Sequence, residues 1–499
     1  MILLTRPWLG LILSLSLIGC SPLHTNTQNA LNRKSELTSK SALVVAKTHV
    51  LAQEQVLVAG GIITHNLPLL NAVGAVLSPQ SIQELSENQQ IENIIIDAAL
   101  SDEEAPEYVI TAHAADWLSR ERGAPVQNDW LEKLIARDEH DLTGQGIGLA
   151  IVDTGIAKNA TWGEPSPRII ARYDSVTDIE GGNVSDSTGH GTHVSSLIVG
   201  AGSNWAGIAP LASLVIVKAF DAQESAHFLD VIRAVQWVTV NKERLGIRVL
   251  NLSISASTEL PYNLDPLNRA LTAAWDAGLV VVVSAGNLGP HPSSVTAPGN
   301  NPWLISVGAA SFDHSTGEIR VAPFSGRGPT HSGHIKPNIL APGTRLAALF
   351  PRTASRPRNE PTEFTKDGLW VTSGASQASA VVAGLVTLLL EARPELSNHD
   401  VKCLLANTAR PLVTKSQTRI SPMSQGRGLI DISAALRSTD TDCEERFEGF
   451  SPSTFIEGAY TLDPHKSPHR LTVRKYTAVI ESSSSTKAQA NSVYLASPA

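Results

Sequence analysis

The sequence is poor in cysteine, and three thiols in 499 residues leave no spacing for a zinc site built on thiolate ligands. It also lacks any sustained lysine or arginine block. With 39 basic against 47 acidic side chains, a formal net charge of −8 and a pI near 6.0, it carries no electrostatic footprint for nucleic acid, and that partner class is excluded. The apolar run that opens the chain, residues 9–18, falls short of the roughly 20 residues that cross a bilayer as a helix. Charged residues make up 17% of the chain and hydrophobic ones 42%, the balance of a globular protein rather than a disordered one.

What is present begins with a predicted export signal over residues 1–20, with Arg6 in a short basic region and residues 9–18 as its apolar core. Leu17-Ile18-Gly19-Cys20 resembles the lipobox of bacterial lipoproteins. That resemblance makes Cys20 the lipidated first residue after cleavage, and Ser21 behind it implies the outer membrane where a cell has two. Several acyl chains on one cysteine anchor stably, since each buried methylene contributes about 0.8 kcal/mol. Cys403 and Cys443 remain, an even pair that suggests a disulfide in an exported chain.

Residues 21–40 are rich in Asn, Thr, Ser and Lys and read as a flexible tether. Residues 41–100 alternate short β-like runs (42–46, 72–77, 93–96) with helical segments such as 79–86, a small α+β unit. Residues 101–141 read as a linker, 142–435 as the main domain, and 436–499 as a C-terminal extension with a β-like run at 470–480. Within the main domain, residues 147–152, 214–217, 249–253, 279–284 and 304–307 are continuous Val/Ile/Leu runs, the pattern of strands buried on both faces of a parallel sheet. Helical patterns lie between them: Val231, Ala234, Val235 and Val238 share one face, as do Leu267, Ala270, Leu271 and Ala274. The alternation predicts an α/β fold with a doubly wound, mostly parallel sheet flanked by helices. Catalytic groups then belong at the carboxyl ends of the strands, where Asp153 stands.

The chemistry is written in four short motifs. Gly374-Ala375-Ser376-Gln377-Ala378 opens a helix that is apolar nearly all round, so Ser376 sits beside free backbone N–H groups and the positive end of the helix dipole. A serine hydroxyl needs a base to become a nucleophile, and the base needs an orienting group. Gly189-His190-Gly191-Thr192-His193 and Ile151-Val152-Asp153-Thr154-Gly155 supply both, and Ser284-Ala285-Gly286-Asn287 adds a side-chain amide at another strand end.

The order Asp153, His190, Asn287, Ser376 resembles that of the subtilisin-like serine peptidases, the subtilases. The resemblance covers residues 142–435 and extends to Phe324-Ser325-Gly326, Lys336-Pro337-Asn338 and Ala341-Pro342-Gly343. It implies that Ser376 attacks the scissile carbonyl, His190 takes its proton and later donates it to the leaving amine, and Asp153 holds the imidazole. Asn287 and the Ser376 N–H would form the oxyanion hole, and Ser253, Ile254 and Ser255 the substrate-binding strand. No cofactor is required for this chemistry. Calcium is common in the family, but Asp174, Asp178, Asn183 and Asp186 match no ligand spacing and read as a solvated loop. His193 reads as a packing residue rather than a base.

The resemblance also implies that the 41–100 unit is a ferredoxin-like, inhibitory propeptide removed by a cut within 97–141, so that the active form is either anchored through Cys20 or released. Its partners are then protein or peptide substrates, its own propeptide, and the membrane. Residues 311–320 and 351–368 read as loop insertions that shape substrate access. The competing reading from another class is a non-catalytic envelope protein that uses the same groove to hold extended peptides. Ala375 and Ser255 stand where the family has commoner alternatives, Thr and Gly, and Gln377 stands where it usually has Met. The last change removes an oxidisable thioether beside the nucleophile. Activity is expected to survive mild peroxide treatment, and rapid loss in a timed peroxide assay would count against this.

Overall fold

The computed structural model describes residues 39–97, 109–111, 126, 128–135, 139–157, 168–202, 205–221, 225–257, 260–352, 354, 364–414, 416–442, 460–462 and 471–473. The expected export signal with Cys20, nearly all of the tether, Cys443 and most of the loop at 351–368 lie outside them.

The first unit runs β1 (Lys40–Ala46), α1 (His49–Val58), β2 (Ile62–Leu67), β3 (Ala72–Leu77), α2 (Pro79–Ser86) and β4 (Ile91–Asp97). Its four strands pair antiparallel in the order β2-β3-β1-β4, the βαββαβ arrangement of a ferredoxin-like unit. Side chains alternate across a strand, and β1 uses both faces. Ala42, Val44 and Ala46 pack with Ala52, Val56 and Leu85 beneath the unit's own helices. Leu43 and Val45, with Leu67, Leu70 and Ala72, belong instead to the core of the main domain. The unit therefore has no free sheet face.

The stretch expected as a linker is structured in two places. A short strand β5 (Val109–Thr111) precedes α3 (Asn128–Ile135), whose Trp130, Leu131, Leu134 and Ile135 are buried in the main core. The polar sequence around these residues hid a short amphipathic stripe of two side-chain pairs one turn apart, Trp130 with Leu131 and Leu134 with Ile135.

The main domain is built on β6 (Gly148–Asp153), β7 (Ile169–Asp174), β8 (Ile179–Glu180), β9 (Ser213–Lys218), β10 (Ile247–Leu252), β11 (Ser255–Ser257), β12 (Val280–Ser284), β13 (Ile305–Asp313), β14 (Glu318–Val321), β15 (Ile339–Pro342), β16 (Leu346–Ala348) and β17 (Trp370–Thr372). Its helices are α4 (His190–Val199), α5 (Phe228–Asn241), α6 (Pro266–Asp276), α7 (Ala375–Ala392) and α8 (Asn398–Thr408). The large sheet is ordered β14-β13-β12-β10-β6-β9-β7-β8 with β15 also on β13, and only β14 and β8 at its edges are antiparallel. This is the expected doubly wound sheet. The chain leaves β6 toward β9 on one side and returns to β10 on the other, so the strand order reverses beside β6. The reversal opens a crevice at the carboxyl end of β6.

Residues 311–320 are not a loop insertion: they form most of the β13–β14 hairpin, closed by a turn in which Asp313 accepts the N–H groups of Ser315 and Thr316. Polar composition concealed a strand that needs no apolar run, because it lies at the sheet edge. Helix α7 is buried throughout its first 16 residues, so its membrane-like length and hydropathy reflect a core position. In the C-terminal extension, Tyr460–Leu462 pairs with Leu471–Val473.

Polar contacts tie the first unit to α5. Gln236 accepts the Leu69 N–H at 3.0 Å and donates to the Asn66 carbonyl, and His65 lies 3.0 Å from Asp230, which also pairs with Arg233. His227, at the N-cap position of α5, lies 3.4 Å from Asp97, and the hydrogen bond to that carboxylate raises its pKa above the usual imidazole value. A pKa raised in the assembled form contributes stability that is complete below the ordinary value and fades as pH rises through the raised one. The urea resistance of the β1–β4 unit is expected to fall as pH rises above the ordinary imidazole value of about 6.5, and by less in His227→Gln. Equal pH dependence in the two proteins would remove His227 from the interface.

Candidate active site

Strand β6 ends on Asp153, whose Oδ1 accepts the Thr154 N–H at 2.7 Å and lies 2.7 Å from His190 Nδ1. Both side chains are buried, 1% and 6% exposed, so water cannot compete for this bond. His190 is the first residue of α4, and Gly189 before it takes the left-handed conformation at φ 95°. A Cβ on Gly189 would strike the Phe350 ring at 2.2 Å, and one on Gly191 would meet the Gly155 carbonyl at 2.3 Å. The glycines on either side of His190 are what allow the helix start to approach the β6 turn.

Ser376 is the second residue of α7, and its Oγ donates to the Ser253 carbonyl at 3.0 Å. The Ser253 hydroxyl returns a hydrogen bond to the Ser376 carbonyl at 3.1 Å, and Ser379 and Asn251 complete the buried cluster behind it. Asn287 accepts the Ala375 N–H on Oδ1 at 2.8 Å, which turns its Nδ2 donor away from the helix end. The structure thus joins Asp153 to His190 and Asn287 to the helix start that carries Ser376, and it packs α4, which begins with His190, against α7.

The Ile254 side chain lies in the core and leaves only its backbone to the groove. Ser255 begins β11, which pairs antiparallel with β5. His193 is fully buried one turn beyond His190, with Nε2 3.1 Å from the Trp370 carbonyl and its ring edge-on to Phe350. Cys403 is buried on α8 and disulfide-bonded.

Asp186 departs from the solvated-loop expectation. It is 7% exposed, and one carboxylate oxygen accepts from the Thr154 hydroxyl, the Thr188 N–H and hydroxyl, and the Gly189 N–H, while the other accepts from the Thr192 N–H and hydroxyl. Thr154 Oγ1 in turn accepts the Gly191 N–H at 2.8 Å. Asp186 therefore fastens the turn after Asp153 to the first turn of α4. Asp174 is buried as well and caps its own turn, whereas Asp178 and Asn183 are exposed as expected. The sequence reading took Asp186 as one of four polar loop residues. The hydroxyls of Thr154 and Thr192, each within two residues of a motif residue, were the signal for a buried acceptor between them. Among the described residues, no group of three or more His, Cys, Asp or Glu side chains could hold a metal ion.

The chain matches the model of the subtilase family over residues 144–428, more than half its length. It belongs to that family. This subtilase is 34% identical over 289 residues to the serine protease AprX of Bacillus subtilis, covering 55% of this chain and 64% of that one. It is 25% identical over 439 residues to subtilisin E of Bacillus subtilis, covering 86% of this chain and 98% of that one. Among solved structures, fervidolysin from Fervidobacterium pennivorans, described as a keratinolytic enzyme related to subtilisin, aligns with a TM-score of 0.63 at 22% identity over 80% of this chain and 61% of that one, a likeness of fold. The chain thus spans just under two thirds of AprX and of fervidolysin.

Asp186→Asn replaces an acceptor by an amide whose N–H₂ faces N–H donors. Loosening the Asp153–His190 geometry in this way is expected to lower kcat about 10²-fold. Peptide hydrolysis measured beside a thermal melt checks this, and a lower melting temperature with unchanged kcat would make Asp186 purely structural.

Proposed function

We propose that this subtilase is an exported serine endopeptidase, anchored to the bacterial envelope through lipid on Cys20, that matures by cutting away its own first unit. The observation that carries the catalytic part is the buried 2.7 Å contact between Asp153 and His190 at the start of α4, a helix packed against α7, which carries Ser376 at its own start. In this resting geometry the single Ser376 proton is donated to the Ser253 carbonyl. Reaction begins when the hydroxyl turns toward His190 Nε2, which takes the proton as Oγ attacks the substrate carbonyl. Asp153, held on the opposite ring nitrogen, fixes the tautomer and stabilises the imidazolium. The developing oxyanion is met by Asn287 Nδ2 and the Ser376 N–H, in a place fixed before substrate arrives. His190 then protonates the leaving amine, and water repeats the sequence on the acyl-enzyme. None of these steps calls for a cofactor.

Cys443 is the proposed partner of the disulfide-bonded Cys403, closing the base of the extension onto α8. Asn287→Ala is expected to lower kcat by about 10²–10³ and to lower stability by about 1–3 kcal/mol, because it leaves the Ala375 N–H without its acceptor. Active-site labelling by a fluorophosphonate is expected in the matured wild-type protein and lost in Ser376→Ala. Absence of label in folded, matured wild type would favour the peptide-holding role instead.

A further inference from the structure

Gln377 follows Ser376 on α7 and is only 3% exposed, yet among the described residues its side-chain amide makes no hydrogen bond. A polar group so deeply placed is nearly always paired, and one left open beside Ser376 is kept for what enters the site. The packing of α4 on α7 shows on which side of Ser376 it lies. Residues seven apart on a helix share a face. Two turns into each helix the contact runs through Ile208: its N–H donates to the Leu197 carbonyl of α4 at 3.0 Å, and its side chain lies against Gly384 of α7, where an added Cβ would come within 2.8 Å. Seven residues before Leu197 is His190, and seven before Gly384 is Gln377. Gln377 therefore belongs to the face of α7 that meets α4, the helix that His190 begins. Ser376 and Ser379 turn instead toward Ser253, the first giving its hydroxyl to the Ser253 carbonyl and the second pairing with the Ser253 hydroxyl.

We propose that Gln377 is a catalytic residue of the second half of the reaction, its side-chain oxygen holding the water that hydrolyses the acyl-enzyme. The inference rests on the serine peptidase reading above and deepens it. In that reading His190, on the same side, protonates the departing amine and then deprotonates the water that takes its place. A water molecule has two O–H groups. One is given to His190 Nε2 and the other to Gln377 Oε1, and an acceptor on the second O–H raises the electron density of the attacking oxygen. That oxygen adds to the acyl carbonyl carbon as its proton passes to His190. The bond from this carbon to Ser376 Oγ then breaks, and His190 returns the proton to Oγ. The products are a carboxylic acid and the restored Ser376 hydroxyl. Acylation consumes no water and does not call on this oxygen.

The test is esterolysis by protein expressed as the full chain, with a peptide p-nitrophenyl ester whose acyl-enzyme accumulates in a burst, in wild type, Gln377→Leu and Gln377→Met. Fluorophosphonate labelling and the burst read acylation, the steady state reads deacylation, and added methanol competes with water. Methanol has a single O–H, which His190 takes, so it gains nothing from Gln377. In both variants acylation is expected to stay within about twofold of wild type, while hydrolysis of the acyl-enzyme slows about 10-fold, the effect of one lost hydrogen bond. The ratio of methanolysis to hydrolysis then rises by the same factor. Equal slowing of methanolysis and hydrolysis, slowed acylation, or unchanged deacylation would each reduce Gln377 to a packing residue and leave the peptidase intact. A wild-type chain with neither label nor turnover would sink the peptidase reading and the role of Gln377 with it.

Discussion

The candidate active site depends on keeping one carboxylate and one imidazole 2.7 Å apart in a place nearly closed to water. Burial strengthens that bond and also makes a misplaced charge costly, so both groups must be held by neighbours that cannot drift. The fold meets this with backbone. Asp153 ends a strand flanked on both sides by parallel partners, and His190 starts a helix whose residues are all buried. Between them Asp186 collects six hydrogen bonds, half of them from backbone N–H groups. A second buried carboxylate is tolerable because every one of those donors would otherwise lack an acceptor near the start of α4.

The same logic sets Ser376. Helix α7 is apolar on every side because it runs through the core against β10, β12, β13 and β15. A helix so placed cannot have its first N–H groups solvated by bulk water, and two uses are made of them: Ala375 donates to Asn287, and Ser376 keeps its N–H for the crevice. Satisfying one orphan donor thereby orients the amide that serves beside the other. The exchange of hydrogen bonds between Ser253 and Ser376 locks the chain at Ser253 to the helix start, so that the position of one fixes the other.

The parts of the fold legible in the sequence were those whose signal is local. Continuous apolar runs gave the parallel strands because a strand covered on both faces has no polar positions. Leu267, Ala270, Leu271 and Ala274 gave α6 because residues three and four apart share one helix face, and all four are buried. Strand β2 escaped because its residues alternate between exposed and half-buried with no apolar block, and β14 because an edge strand carries little hydrophobic demand. The candidate site was legible as motifs and illegible as support. Asp186 resembles any loop aspartate until Thr154, 32 residues earlier, folds against it. Likewise nothing in Val109-Ile110-Thr111 marks it as a partner of Ser255-Ala256-Ser257, since that pairing is between segments far apart in sequence.

The first unit follows from period-two alternation carried to both faces of a four-stranded sheet. A free-standing unit of this size would leave Leu43, Val45, Leu67, Leu70 and Ala72 in water, and instead these side chains are nearly fully buried in the main core. Such a sheet must cover its second face on a partner, and that burial does not depend on chain continuity. Here the docking surface is α5, and the chain that leaves β4 at Asp97 later enters the groove as β5. Sheet and strand therefore hold the same segment at two places: the sheet by apolar burial, which is indifferent to one-residue shifts along the groove, and the strand by backbone pairing, which is not. Affinity and register are thus carried by different parts of the first unit. A substitution on the buried sheet face therefore acts on the docking of the whole unit, while one in β5 acts on three paired residues alone.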